Sequence, residues 1–143
     1  MKILLVLTFL LPSLSLADDV SNIYWSAYAC DGYIYHFDTA KNKYKIYTRL
    51  EVKDKQGIAY SSYQLSEGEI HKSSEAVYSL TGKDLTGVNT VDFKDKDQAI
   101  FNSELYGRAV LIQCDSELAV KLIAEAETHF KVCPKNVLNC KSL

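Results

Sequence analysis

The chain begins with an apolar run, Ile3 to Leu11, preceded by Lys2 and followed by Ser15-Leu16-Ala17. A positive start, a short apolar stretch and small residues at the cut are the pattern of a secretory signal, too short to anchor stably in a bilayer. Residues 1–17 are therefore expected to be removed, leaving 18–143 as one exported domain. No later run approaches the roughly 20 apolar residues that a membrane-spanning helix needs. Next, Ile23 to Cys30 and Tyr33 to Phe37 read as strands, with Asp31-Gly32 between them as a two-residue hairpin signal. From Ala40 to Val52 two periods fit at once. Ala40, Tyr44, Tyr47 and Leu50 recur as on one face of a helix, while Tyr44, Ile46, Thr48, Leu50 and Val52 alternate as in a strand. The pattern alone leaves both open.

Lys53 to Gly57 reads as a charged loop and Ile58 to Leu65 as a strand, with a polar, turn-like stretch from Ser66 to Ser74. Ala76 to Leu80 is a short strand candidate, followed by TGKDLTGVNT as a loop and an exposed charged stretch from Lys94 to Asp97. Gln98 to Asn102 and Arg108 to Cys114 carry near-continuous apolar runs, as expected of strands covered on both faces. Asp115-Ser116 then caps a helix whose stripe is Leu118, Leu122, Ile123, Ala126 and Phe130, ended by Pro134. This helix is expected to pack on the chain's own sheet. The order of elements predicts an α+β domain with an antiparallel sheet.

Composition narrows the chemistry. Losing Lys2 with the leader takes the formal charge from -2 to -3, and a slightly acidic chain is poorly suited to neutralising phosphates. RNA binding is accordingly not favoured. The ten tyrosines suit strands and wet interfaces. Four cysteines, Cys30, Cys114, Cys133 and Cys140, read as two disulfides with three possible connectivities in an exported chain. Cys30–Cys114 with Cys133–Cys140 is the expected pairing, the first tying the start of the domain to its last core strand. A zinc site is disfavoured, because the cysteines form no close pair and His129 is the only histidine near them. No other metal or cofactor is signalled.

The signal segment, Tyr28-Ala29-Cys30 near the new N-terminus, a following glycine and a distant partner cysteine resemble the small ribonuclease-like secreted effectors of powdery mildew fungi. Asp97-Gln98-Ala99-Ile100-Phe101-Asn102 is similar to the D-R-V-V-F-N strand of the guanyl-specific fungal ribonucleases. Gly107 to Leu111 follows their G-V-I-T-H strand more loosely. The resemblance implies a sheet packed on one helix, selects the helix for Ala40 to Val52, and places Cys30 and Cys114 as partners. Residues 115–143 would be a helical extension outside that pattern.

The same resemblance implies an inactive site. The arginine of D-R-V-V-F-N is Gln98 here, and the histidine of G-V-I-T-H has no counterpart. Glu75 stands where the family keeps its carboxylate base, and His71 is the other imidazole that could contribute. Without the arginine and the paired acid these read as a vestigial base and an exposed loop histidine. Trp25 beside Tyr24 is weighed equally as an interface anchor and as core. The expectation is thus a secreted, monomeric, non-enzymatic effector. It would bind a host protein, enter the host cytoplasm and meet an intracellular immune receptor of a plant. An active ribonuclease using Glu75 and His71, and an unrelated small secreted interaction protein, are the alternatives; strands throughout Tyr44 to Val52 would favour the latter.

Overall fold

The computed structural model describes residues 20–28 and 30–142; the expected leader lies outside the described residues. After a 3-10 turn at Val20–Asn22 come eight strands: β1 (Tyr24–Ser26), β2 (Tyr33–Asp38), β3 (Lys43–Lys53), β4 (Ala59–Lys72), β5 (Val77–Gly82), β6 (Leu85–Phe93), β7 (Gln98–Ser103) and β8 (Gly107–Gln113). One helix, α1 (Ser116–Phe130), follows. Each strand pairs antiparallel with the next, and β1 pairs with β8 through Trp25 opposite Gln113 and Ser26 opposite Ile112, closing a barrel. The expected α+β sheet packed on a helix, in the manner of a ribonuclease, is therefore corrected: the sheet closes on itself.

The decisive segment is residues 43–53. It is a strand paired along its whole length with β4, from Lys43 opposite Glu69 to Lys53 opposite Ala59. The helix expected for Ala40 to Val52 is absent because the alternation wins. Tyr44 and Ile46 enter the barrel, whereas Lys43, Lys45, Arg49, Glu51 and Lys53 stay in water. Only Tyr47 breaks the alternation, by being buried outside, beneath α1. Charged outward positions and an apolar interior are the reverse of a membrane-spanning barrel. Two stretches expected as loops are also strands. β4 runs on through Ser66 to Lys72, and the TGKDLTGVNT segment is a tight turn at Lys83-Asp84 between β5 and β6. The two-residue hairpin at Asp31-Gly32 is not formed; the chain leaves β1 at Ser26 and takes residues 27–32 to reach β2.

The two ends of the barrel are unlike. The β2–β3, β4–β5 and β6–β7 turns share one end with the Val20–Asn22 turn; the other four connections share the opposite end. The first end is closed by aromatic packing around Phe93, whose ring meets Trp25 at 5.8 Å, Phe37 at 5.6 Å and Tyr78 at 5.6 Å. Trp25 and Phe37 are fully buried, and burying each such ring stabilises the fold by about 2–3 kcal/mol. Val20 covers this end, held by the contact between His36 Nε2 and the Ser21 carbonyl at 2.8 Å.

Helix α1 begins as its cap predicts: Asp115 Oδ1 accepts from the amides of Glu117 (2.9 Å) and Leu118 (3.3 Å). Its buried face is Ala119, Leu122 and Ala126, packed outside the barrel on Ile34, Tyr47, Tyr63 and Leu65. Leu118 points to solvent, so the face is turned by one residue from the expected stripe. Alanines let the helix approach two tyrosine rings, whose hydroxyls donate to its carboxylates: Tyr47 to Glu127 and Tyr63 to Glu125, each at 2.9 Å.

His129, on the same face, is buried against Tyr63, with Nδ1 3.3 Å from Ser142 Oγ and Nε2 unpartnered. Glu125, Lys141 and Thr128 border the same groove. Burial holds the imidazole below its usual 6.5. A lowered folded value means that the unfolded chain binds the proton more readily. Stability is thus complete above about pH 6.5 and declines as the pH falls through that value toward the folded one. Thermal melts should show a drop in midpoint between pH 7.5 and pH 5.5 that His129→Gln flattens; identical profiles for the two proteins would remove this role.

Candidate functional site

The open end holds a cavity of ≈ 700 Å³. Its origin lies in which side chains the alternation sends inward. Toward the closed end the inward positions are large aromatics and aliphatics. Toward the open end they include Thr48 on β3, Ser66 on β4 and Ala109 on β8, with Gly107 at the start of β8. The mouth half of the barrel is left unfilled. Tyr33 and Tyr35 on β2 and Phe101 on β7 form its walls, with Tyr35 and Phe101 at 5.5 Å between ring centroids. Tyr28 and Tyr106 stand on the rim, 72% and 71% exposed. Burial pushes the Tyr35 phenol up to about 12, and the neighbouring phenols of Tyr33 and Tyr28 add to it. The Tyr35 phenol is therefore neutral at physiological pH.

Tyr44 belongs to the packed core and is not among the residues that line this half. It crosses between two glycines: a Cβ on Gly68 would lie 2.9 Å from its ring, and one on Gly82 only 2.3 Å from its hydroxyl. Burial raises its pKa; Ser66 opposes that rise and the charge of Asp84 adds to it. Ser66 supplies the hydroxyl beside it, and no other protein group pairs with either one. Asp84, in the β5–β6 turn, and Arg108, at the start of β8, are the two charged residues of the lining.

The wall has a lateral gap. β5 pairs only with Gly68 to Lys72 of β4, so β4 from Ala59 to Glu67 has β3 on one side and no strand on the other. An uncovered edge invites association, and the segment after α1 covers it. Leu65 N–H donates to the Lys135 carbonyl at 3.1 Å, Lys135 pairs with Glu67 at 3.1 Å, and Lys141 pairs with Asp54 at 3.3 Å. Asn136 is best satisfied with Nδ2 donating to the carbonyls of Lys135 and Leu65, at 3.0 and 3.1 Å, against a single 3.3 Å contact to Asp84 the other way. The Cys133–Cys140 bond gathers this strap into a loop.

The expected disulfides are both present, Cys30–Cys114 and Cys133–Cys140. Cys30 and Cys114 pack with the cluster beneath α1, outside the wall, while Tyr28, two residues before Cys30, borders the mouth. The Tyr-x-Cys motif thus pins a rim loop: the sulfur holds the outer wall and the ring faces the opening.

The other residues singled out in the sequence lie elsewhere. Glu75 is exposed in the β4–β5 turn at the closed end. His71 is exposed on β4 and contacts the Glu69 carboxylate at 3.1 Å, which draws the Glu69 pKa down. Neither borders the cavity. Trp25 is core, and Tyr24 lies on the outer side of β1 against His36 at 5.1 Å. Among the described residues no group of three or more His, Cys, Asp or Glu could hold a metal ion. Sequence reading missed the mouth itself. Its trace was there, in the small Thr48, Ser66, Gly107 and Ala109 at inward positions of their strands, but that trace needs the right strand register to be seen.

Comparison with known proteins supplies no relative: no family model, no curated protein and no solved structure matches the chain.

Proposed function

We propose that this chain is an exported binding protein that takes one small molecule in the mouth of its barrel. The observation that carries the reading is the asymmetry of filling: one end of the barrel is packed with aromatics, and the other is emptied by small inward residues. Eight strands enclose either packed side chains or one small ligand, as in lipocalins and streptavidin; here each half of the barrel does one of these. Ligand sites of this kind have volumes of about 300–1,000 Å³ and combine apolar walls with a few polar groups, a description this mouth meets. Its two disulfides are consistent with an extracellular setting. Fold analogy enters only as support for the class of function; the site carries the argument.

Filling the mouth tests it. Ala109 faces inward at the opening, so Ala109→Trp should lower affinity for a neutral fluorescent probe, N-phenylnaphthylamine, by about tenfold or more with the melting temperature little changed. Saturable one-to-one binding by the unaltered protein is the expected baseline. Equal binding by both proteins, or no saturable binding by either, would defeat the reading.

A second reading, in which the protein acts by docking on another protein as the sequence led one to expect, draws support from the rim. Tyr28, Leu105 and Tyr106 are 72%, 62% and 71% exposed, and exposed aromatics are frequent interface anchors. The host-target proposal would rest on that rim, without the ribonuclease fold that first suggested it.

A further inference from the structure

The following rests on the small-molecule reading and names the chemical class of the ligand. The mouth is not uniformly apolar. Ladder pairing sets Tyr33 of β2 beside Thr48 of β3, and Thr48 beside Gln64 of β4. All three line the cavity and are half-buried, so one rung of the wall runs from an aromatic ring through a hydroxyl to a carboxamide. One rung deeper, Tyr35 stands beside Ile46, and below that Phe37 stands beside Tyr44. The polar rung therefore lies at the opening. A carboxamide turned into a barrel is costly unless something bonds to it, and among the described residues neither Gln64 nor Thr48 hydrogen-bonds to the protein through its side chain. At the rim, Tyr28 and Tyr106 are largely exposed, and the Tyr28 ring lies 6.4 Å from that of Tyr33. The lining's two charges, Asp84 and Arg108, are opposite in sign and both exposed, so they offer a charged ligand no net attraction.

We propose that the mouth takes a neutral saccharide, with the C–H face of one pyranose ring on the rim tyrosines and its hydroxyl edge on Thr48 and Gln64. A pyranose has two kinds of surface: C–H groups of slight positive charge on its face, and hydroxyls around its edge that both donate and accept. An aromatic face is negative and attracts the first. A carboxamide is donor and acceptor at once, so it can meet two neighbouring hydroxyls, and the Thr48 hydroxyl can do either. A hydrocarbon would use the tyrosines but strip water from Gln64 and Thr48 without replacing it. An ion would be attracted by one of Asp84 and Arg108 and repelled by the other. The sugar suits both walls.

Isothermal titration with the methyl pyranosides of glucose, galactose, mannose and N-acetylglucosamine tests this against cyclohexanol, a ring with a single hydroxyl. At least one glycoside should bind one-to-one, about tenfold or more tightly than cyclohexanol. Gln64→Leu should weaken that glycoside by about tenfold, a far larger loss than N-phenylnaphthylamine suffers, because leucine keeps an apolar wall and removes the hydrogen bonds. Tyr106→Ala, at a residue 71% exposed, probes the other wall without touching the core and should weaken the same glycoside by a similar factor. No glycoside bound more tightly than cyclohexanol, or a Gln64→Leu protein that loses glycoside and N-phenylnaphthylamine alike, would overturn the saccharide inference. N-phenylnaphthylamine binding blocked by Ala109→Trp would still support a binding mouth in that event, so the two readings fail separately.

Discussion

Gly68→Ala should cost the barrel about 3 kcal/mol of folding free energy, at the upper end of what overpacking usually costs. Gly68 of β4 faces Gly82 of β5 across the ladder, where the Tyr44 ring passes between them. A Cβ at position 68 would lie 2.1 Å from the Thr81 carbonyl oxygen and 2.9 Å from Gly82 Cα. Both obstacles are backbone, so no rotamer change relieves them, and β4 and β5 must part at the last pairs that join them before the lateral gap. Gly82→Ala meets a different obstacle, the Tyr44 hydroxyl at 2.3 Å, with the Glu67 carbonyl oxygen at 2.8 Å. Adding Tyr44→Phe should therefore restore part of the stability lost in Gly82→Ala and almost none of that lost in Gly68→Ala. Urea unfolding of the parent, Tyr44→Phe, the two glycine variants and the two double variants, read as midpoints at constant slope, measures this coupling. A Gly68→Ala protein as stable as its parent would mean that the strands do not cross so closely.

Removing the Cys30–Cys114 bond should have the larger effect of the two disulfides. It spans 84 residues, against 7 for Cys133–Cys140. Chain entropy then predicts a loss of about 4–5 kcal/mol for the first and about 2–3 kcal/mol for the second. Their functional consequences should differ as well. Replacing Cys30 and Cys114 by serine frees the loop that carries Tyr28, so probe affinity should fall along with stability. Replacing Cys133 and Cys140 loosens the strap over β4, so the expected sign is self-association through the bared edge from Ala59 to Glu67. Denaturant midpoints and sedimentation of the two double variants would settle the order. A strap variant less stable than the Cys30/Cys114 variant would contradict the entropic ranking.

Several elements could be read locally because a local interaction specifies each. Asp115 caps α1 with its own carboxylate, wherever the rest of the chain goes. β7 and β8 carry apolar runs that form strands as read, though only β7 is covered on both faces, since Val110 and Ile112 of β8 are exposed; the strand at Tyr33 is set by alternating Tyr33, Tyr35 and Phe37. The cysteine pairing was also anticipated, and for Cys30–Cys114 likeness to a family whose fold this chain does not adopt added to the expectation. A bond between the first loop and the last strand suits a closed barrel as well as a ribonuclease-like sheet, so a correct pairing did not test the topology.

Residues 40–52 mark the boundary. Side chains at 44, 47 and 50 satisfy a helix and those at 44, 46, 48, 50 and 52 satisfy a strand, and nothing nearby in the chain distinguishes the two. The choice is made by β4, which turns back after residues 54–58 and bonds to β3 along its full length, from Lys53 opposite Ala59 to Lys43 opposite Glu69, 26 residues apart. The polar stretch Ser66 to Lys72 is the same case reversed: its composition suggests a turn, but two neighbouring strands supply its hydrogen bonds, and its small Ser66 faces an opening. Caps, runs and alternation are properties of adjacent residues, so they are written in the chain. Closure of the barrel, the empty mouth and the strap over its gap arise only when distant strands meet in register, because a cavity is defined by what surrounds it on every side.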